Sequence, residues 1–333
     1  HFSTRAIGHA IDWFQQTLDV PQPRPVDDQV WYWKEVGNLI ALIGMVVLLF
    51  GVGLLLLDTP FFAELRGEPP ATKGATGLGW WGAAFVFTVL PAVTLFPFKD
   101  FGGVLPVGPL FPQSITNQVV AWAVLVGVIS LVLFAVWHFT SGRKSGAGPD
   151  DHGLTPSGRF SAPHVAKAWL LAILVAAAAY LTLVASGIIF TVDYRFWVFA
   201  IKPMAPHHVR AALVYVVPFT LFFLVYGVVL FGQLRRDLPP AREAVLVVGL
   251  SVLGFAGLVT FQYVPLFMGG TLAVASEALW SIIAYQFLPI MTIVGLVTAV
   301  YQRWTGSVWV GAFLSGILVT WIVVASQATH YGG

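Results

Sequence analysis

Apolar residues run along this chain in eight blocks of roughly 20 residues, each long enough to carry a helix across a hydrocarbon core. The blocks fall at 36–57, 80–98, 118–139, 166–190, 207–232, 245–264, 272–300 and 308–328. Ten-residue segments of strict alternation are absent, so the pattern predicts helices rather than a transmembrane barrel. The fold class read from it is all-α: a polytopic transmembrane bundle preceded by one amphipathic helix. Pro91 and Pro97 interrupt the second block, which predicts a kinked or partly re-entrant span. The seventh block is long enough to tilt, or to begin with an interfacial stretch near 268–278. No internal repeat is visible.

Ahead of the blocks the pattern changes. In residues 1–20, Ile7, Ala10, Ile11, Phe14 and Leu18 recur at helical spacing, while His9, Asp12, Gln15 and Gln16 fall largely on the other face. Ser3 or Thr4 is placed to cap this helix. A helix of about four turns is not stable alone and needs a domain against which to bury its stripe. The segment has neither a start methionine nor a signal-peptide pattern, and it reads as the last helix of a preceding globular domain. Residues 21–35 follow as a linker and collar. VPQPRPVDDQ is stiff and extended, and Trp31, Tyr32, Trp33 and Lys34 form an aromatic and basic collar. Residues 36–333 make up the membrane domain.

Composition supports this division. Of 333 residues, 58% are hydrophobic and only 10% charged, with a mean hydropathy of +0.83, whereas soluble domains carry about 25% charged residues. The net charge of +2 is small, and the basic residues are scattered without a patch, so nucleic acid is not a predicted partner. Membrane lipids are. The absence of cysteine excludes disulfides, thiolate metal sites and cysteine nucleophiles, and the 13 Trp suit membrane-interface belts.

Lys and Arg in the loops set the orientation. With eight spans, the N-terminal arm shares a side with the C-terminus and with Arg5, Arg24, Lys34, Lys99, Arg195, Lys202 and Arg210. The other ten cations lie opposite, including the pairs Arg143–Lys144 and Arg235–Arg236 just beyond span ends. This predicts a multi-pass membrane protein with its arm and C-terminus outside the cytoplasm.

Few residues suggest chemistry. Glu277, in TLAVASEALWSII, is the only acidic residue within an apolar run. An ionisable group in a span is a functional candidate, although one about two turns from the outer end also reaches interfacial water. Gln262, Gln286 and Gln327 are polar groups in or at the ends of late spans, suited to interhelical hydrogen bonding. The segment KPMAPHHVR gathers Lys202, His207, His208 and Arg210. Its adjacent histidines do not share a helix face and predict no metal pair. The segment suits headgroup contacts, or is an ordinary loop with snorkelling cations. His138 and His330 read as interfacial. No nucleophile elbow, HExxH helix, Walker loop or dinucleotide fingerprint is present in the sequence, and no cofactor or metal is predicted.

The stretch HFSTRAIGHAIDWFQQTL followed by QVWYWKEVGNLIALIGMVVLLF is similar to the junction in a group of bacterial membrane-anchored α/β-hydrolase proteins of the dienelactone-hydrolase or serine-peptidase-like type. The late stretch YQRWTGSVWVGAFLSGILVTWIVVASQATHY resembles the end of the same group. The resemblance implies an upstream extracytoplasmic hydrolase domain whose final helix opens this sequence. It also implies a catalytic histidine shortly before that helix, at His1 or slightly upstream, with the nucleophile and acid upstream as well. His9, within the helix, does not fit that role.

The leading expectation is therefore the membrane part of an extracytoplasmic serine hydrolase acting on an ester, amide or lipid-like substrate. A second expectation is a transporter or channel with a regulatory arm, in which Glu277, Gln262 and Gln286 line a polar path. A third is a bundle that only anchors and scaffolds.

Overall fold

The computed structural model describes residues 3–18, 21–156 and 158–330. The helix predicted before the first span is α1, Thr4–Thr17, and Ser3 caps it by accepting from the Ala6 amide at 3.2 Å. The first span is α2, Trp31–Leu57. It starts five residues before its apolar block, and the aromatic collar forms its opening turn.

The second apolar block splits into α3, Gly77–Val93, and α4, Leu95–Lys99, which continues as a tight turn through Val104. The two parts are bent by 53°. Pro97 has no N–H for the carbonyl one turn before it, and the helix breaks beside Thr94. Thr94 Oγ1 donates to the Leu90 carbonyl at 2.6 Å, and the indole of Trp122 donates to the Pro91 carbonyl at 3.0 Å. Two carbonyls beside the break are therefore bonded from within the protein, as hydrocarbon favours.

The remaining spans are α5 (Ser114–Trp137), α6 (Ala162–Phe190), α7 (Pro206–Val228), α8 (Pro240–Phe267), α9 (Ala278–Thr305) and α10 (Trp309–Ser326). Proline at the first or second position opens α6, α7 and α8, where its missing N–H costs nothing. α5 and α7 each end in a widened π turn, His138–Gly142 and Val229–Leu234. Among the described residues, seven helices are long and apolar enough to cross a membrane, and the bent α3–α4 pair makes an eighth. The protein is a polytopic helical membrane bundle.

α10 lies at the centre, packed on α6, α7 and α9, with α8 on α9, α3 on α8, α5 on α7 and α2 on α6. Small residues permit the close approach. Ala168, Ala172, Ala176 and Ala179 lie on the buried face of α6. Gly311 of α10 stands against Thr298 of α9, and Gly316 against Thr220 of α7. Gly254 of α8 meets the Thr88 carbonyl of α3 so closely that a Cβ there would overlap it.

Loop contacts define two faces. On one, Gly67 bonds to the Trp304 carbonyl, Ala75 to that of Gln233 and Val308 to that of Gly153, at 2.9–3.1 Å. This is the arginine face, carrying Arg66, Arg235, Arg236 and Arg303. On the other, the arm face, His330 bonds to the Pro112 carbonyl at 2.7 Å and Trp321 donates to that of Lys202 at 2.8 Å. α3 begins on the arginine face, where Trp80 donates to Leu234, and Lys99 ends the bent pair beside Glu277 on the arm face. The pair therefore crosses the bundle.

One short hairpin accompanies the all-α bundle. Tyr194–Phe196 (β1) and Phe199–Ile201 (β2) form an antiparallel hairpin closed by Trp197 and Val198. Two-residue hairpin turns normally advertise themselves with Asn or Gly. Here Trp197 holds a φ of 54°, and no turn residue marks the site. Tyr194, Phe199 and Ile201 are buried, and the hairpin packs on α2 and α10.

Gly254→Ala is expected to cost about 1–3 kcal/mol by forcing α3 from α8. Gly257→Ala, on the same helix with open space around it, should be neutral or slightly stabilising. Thermal unfolding in detergent measures both, and equal effects would show that α3 and α8 are not in contact.

Candidate functional site

The break at Thr94 sets α4 at an angle and delivers Lys99 to the start of α9. Lys99 Nζ lies 3.2 Å from Glu277 Oε1 and 2.6 Å from Asp100 Oδ1, and 5.8 Å from the centre of the Trp280 ring. The Lys99 side chain is 10% exposed and that of Glu277 18%, whereas that of Asp100 is 71% exposed. Glu277 thus has a sheltered partner and Lys99 a second, solvated one.

Glu277 closes a short 3-10 turn, Ala275–Glu277, ahead of α9. The interfacial entry read from the seventh block is therefore present, and Glu277 stands at the helix end rather than deep in the span. Gln262 fixes this entry. Its amide donates to Ser281 Oγ at 2.7 Å, its carbonyl oxygen accepts from the Val274 amide at 2.7 Å, and Ser281 donates to the Glu277 carbonyl at 2.7 Å. Gln286 donates to the Val198 carbonyl at 3.1 Å and so holds the hairpin turn against α9. Gln262 thus bonds from α8 to α9, whereas Gln286 bonds to the hairpin turn rather than to another helix.

Gln327 enters a larger network through its backbone carbonyl, and the hub is Gln113. This fully buried side chain donates to the carbonyls of Val324 and Gln327 at 2.9 and 3.3 Å and accepts from Thr116 at 2.6 Å. The Tyr215 hydroxyl accepts from the Gln113 amide at 3.1 Å and donates to Asn117 at 2.6 Å. Asn117 in turn donates to the carbonyls of Leu105 and Phe111. α5, α7, the end of α10 and the 105–112 loop are thereby joined on the arm face. The sequence signal was PQSITNQ, a polar run at the mouth of an apolar block, easily read as loop.

Lys202, His207, His208 and Arg210 also lie on the arm face, around the start of α7. His208 Nδ1 accepts from the Ala205 amide at 3.3 Å, while Lys202 and Arg210 are exposed and have no acidic partner among the described residues. The cation that reaches Glu277 is Lys99, not one of these. His1, the candidate triad base, lies outside the described residues.

On the arginine face a second cluster escaped sequence reading. His152 is wedged between the two π turns, its Nε2 3.0 Å from Nδ1 of His138 and its ring edge-on to Phe134. It is 4% exposed and packs against Gly232, leaving no room for a Cβ there. The adjacent Asp151 accepts from Lys73 at 3.1 Å and from the Gly148 amide at 2.8 Å. Burial, with His138 nearby, pushes the His152 imidazole down to about 4, against a weaker opposing pull from Asp151.

Protein-family models, curated proteins and solved structures give no match to this chain.

Lys99→Ala should cost about 1–3 kcal/mol by leaving the Glu277 carboxylate sheltered and unpaired. Asp100→Ala, which removes an exposed partner, should cost less than about 1 kcal/mol. Adding Glu277→Gln to Lys99→Ala should restore part of the loss. Denaturation in detergent reads all three, and equal single losses would dismiss the sheltered pair.

The His152 imidazole is neutral in the fold until about pH 4 but takes its proton near 6.5 when unfolded. The unfolded state therefore binds more protons between those values, so stability present above pH 6.5 is lost as the pH falls toward 4. His152→Gln should flatten that part of a melting-temperature profile. An unchanged slope would show that another group titrates.

Proposed function

We propose that this chain is the membrane module of an extracytoplasmic serine hydrolase acting on an ester, amide or lipid-like substrate, and that its arm face is where that domain docks. The observation that carries the reading is α1. None of its described residues is buried, and Trp13, Phe14 and Leu18 are more than half exposed. Among the described residues its hydrogen bonds to the rest of the chain run to the linker: Gln29 donates to the Thr4 carbonyl at 2.9 Å, and Gln15 to that of Arg24 at 2.7 Å. An amphipathic helix held in place with its apolar stripe open supports a folded neighbour that covers the stripe. The resemblance of the α1–α2 junction to membrane-anchored α/β-hydrolases names that neighbour's class.

In such a hydrolase a serine attacks the substrate carbonyl while histidine takes its proton, and water completes the cycle. The serine and acid lie upstream in this reading, with His1 or a nearby histidine as base. The transport reading draws less support. Glu277 stands at a helix end with a lysine partner, and the enclosed cavity between Trp122, Tyr226 and Phe255 has room for little more than a water molecule, about 20 Å³.

Two measurements test the proposal. The upstream coding sequence should contain a G-x-S-x-G-like elbow within about 100–200 residues of His1, and the full-length protein should label with a fluorophosphonate at that serine. No elbow and no labelling would overturn the hydrolase reading. The sidedness is accessible because the chain has no cysteine. Ala328→Cys should react with an impermeant maleimide on intact cells, and Asp150→Cys only after lysis. The reverse pattern would put the arm in the cytoplasm.

A further inference from the structure

Between α5 and α7 the bundle surface is hollowed. One groove of about 620 Å³ runs from Phe101 and Val104 past Val120 and Val124 of α5 and Val214 and Val217 of α7. A second, of about 490 Å³, continues past Val128 and Leu221 toward Phe134. The two share Val124 and Pro218, so they form a single channel open to the side. From Val214 to Val228 it follows α7 for about 21 Å at 1.5 Å per residue. One leaflet of hydrocarbon is about 15 Å deep, so a fully extended acyl chain from the arm-face leaflet fits along it. Its walls are almost wholly apolar, and Val124, Val128, Val217 and Leu221 are 43–58% exposed within the bundle's own surface.

Charge marks the arm-face end. Arg210 precedes Val214 by one helical turn, and Val217 and Leu221 follow on the same stripe of α7. A side chain at that position leans toward the helix start and toward the headgroup layer. Lys202 lies eight residues before Arg210, in the stretch between β2 and α7, with its carbonyl bonded to Trp321 of α10. Neither cation has an acidic partner among the described residues, a state they share with other loop cations such as Arg143, Lys144 and Arg242, so both are available to an anion.

We propose that the α5–α7 groove is a binding site for an anionic glycerophospholipid, with one acyl chain lying along Val124 and Val217 and the headgroup phosphate held by Arg210 and Lys202. The site does not depend on the hydrolase reading. Where both hold, it supplies the arm face with membrane-borne substrate.

The test uses the protein in liposomes containing traces of diazirine-bearing phosphatidylglycerol or phosphatidylcholine with identical chains, and maps the crosslinked peptides. The phosphatidylglycerol probe should label α5 and α7 in excess over phosphatidylcholine, by about fivefold for each basic residue engaged. The double change Arg210→Ala with Lys202→Ala should bring the two probes to equal labelling without lowering that of phosphatidylcholine. Val217→Trp should lower both by filling the groove, and Ile40→Trp, on exposed α2 surface, should lower neither. Equal labelling by both headgroups in the unaltered protein, or labelling of α5 and α7 no stronger than of α2 and α8, would overturn the proposal. The outcome is independent of serine labelling, so either idea can fail while the other stands.

Discussion

A carbonyl freed inside a bilayer has no water to turn to, so a helix broken there must find its donor on another helix. In this protein Trp122 of α5 supplies that donor to Pro91, and Thr94 closes back on Leu90. With those carbonyls bonded, the chain turns by 53° beside Thr94. Because it turns, Lys99 arrives at the entry to α9 instead of continuing along the axis of α3. The sheltered pair with Glu277 depends on that break, while Gln262 and Ser281 fix the 3-10 entry and tie α9 to α8. A straight second span would leave Glu277 without its cation.

The same shortage of hydrogen-bond partners explains where polar side chains collect. Gln113, Thr116, Asn117 and Tyr215 bond almost entirely to one another and to helix-end carbonyls. Gln262 and Ser281 do likewise at the mouth of α9. Deep in the bundle the principal ties are hydroxyl groups returned to their own helix or to a neighbour, as with Tyr301 on the Leu49 carbonyl at 2.7 Å. What remains in the middle is contact between small residues and aromatic rings. Alanines and glycines of α6, α10 and α8 bring backbones close, since in lipid close packing rather than hydrophobic burial drives helix association.

The spans were legible because hydrocarbon demands long apolar runs, and Pro91 and Pro97 marked the kink. α1 was legible from its spacing and its serine cap. What the sequence hid were pairings across long separations. Lys99 read as one more loop cation, because nothing local reveals a carboxylate 178 positions later. His138 looked interfacial, and its partner His152 sits in a glycine-rich loop that carried no pattern. The hairpin was invisible because Trp197 occupies a conformation that glycine or asparagine would ordinarily announce. Tertiary contacts with Gln286 and Tyr285 hold it there instead.

The two faces differ in kind, and the difference bears on how the module works. On the arginine face, loops lock to each other through backbone bonds, Trp80, Trp309 and the wedged His152, which leaves little freedom. The arm face carries the Gln113 network and the Lys99–Glu277 pair, and the apolar stripe of α1 is open. In the proposed reading, a preordered face of that kind suits the docking of a folded domain, because few side chains need to be ordered when contact is made. The groove between α5 and α7 reaches this same face past Phe111, whose ring lies 5.9 Å from that of Tyr215. An acyl chain in the groove would therefore lie against the network that positions the docking surface, and the lipid and the domain would share one structural base.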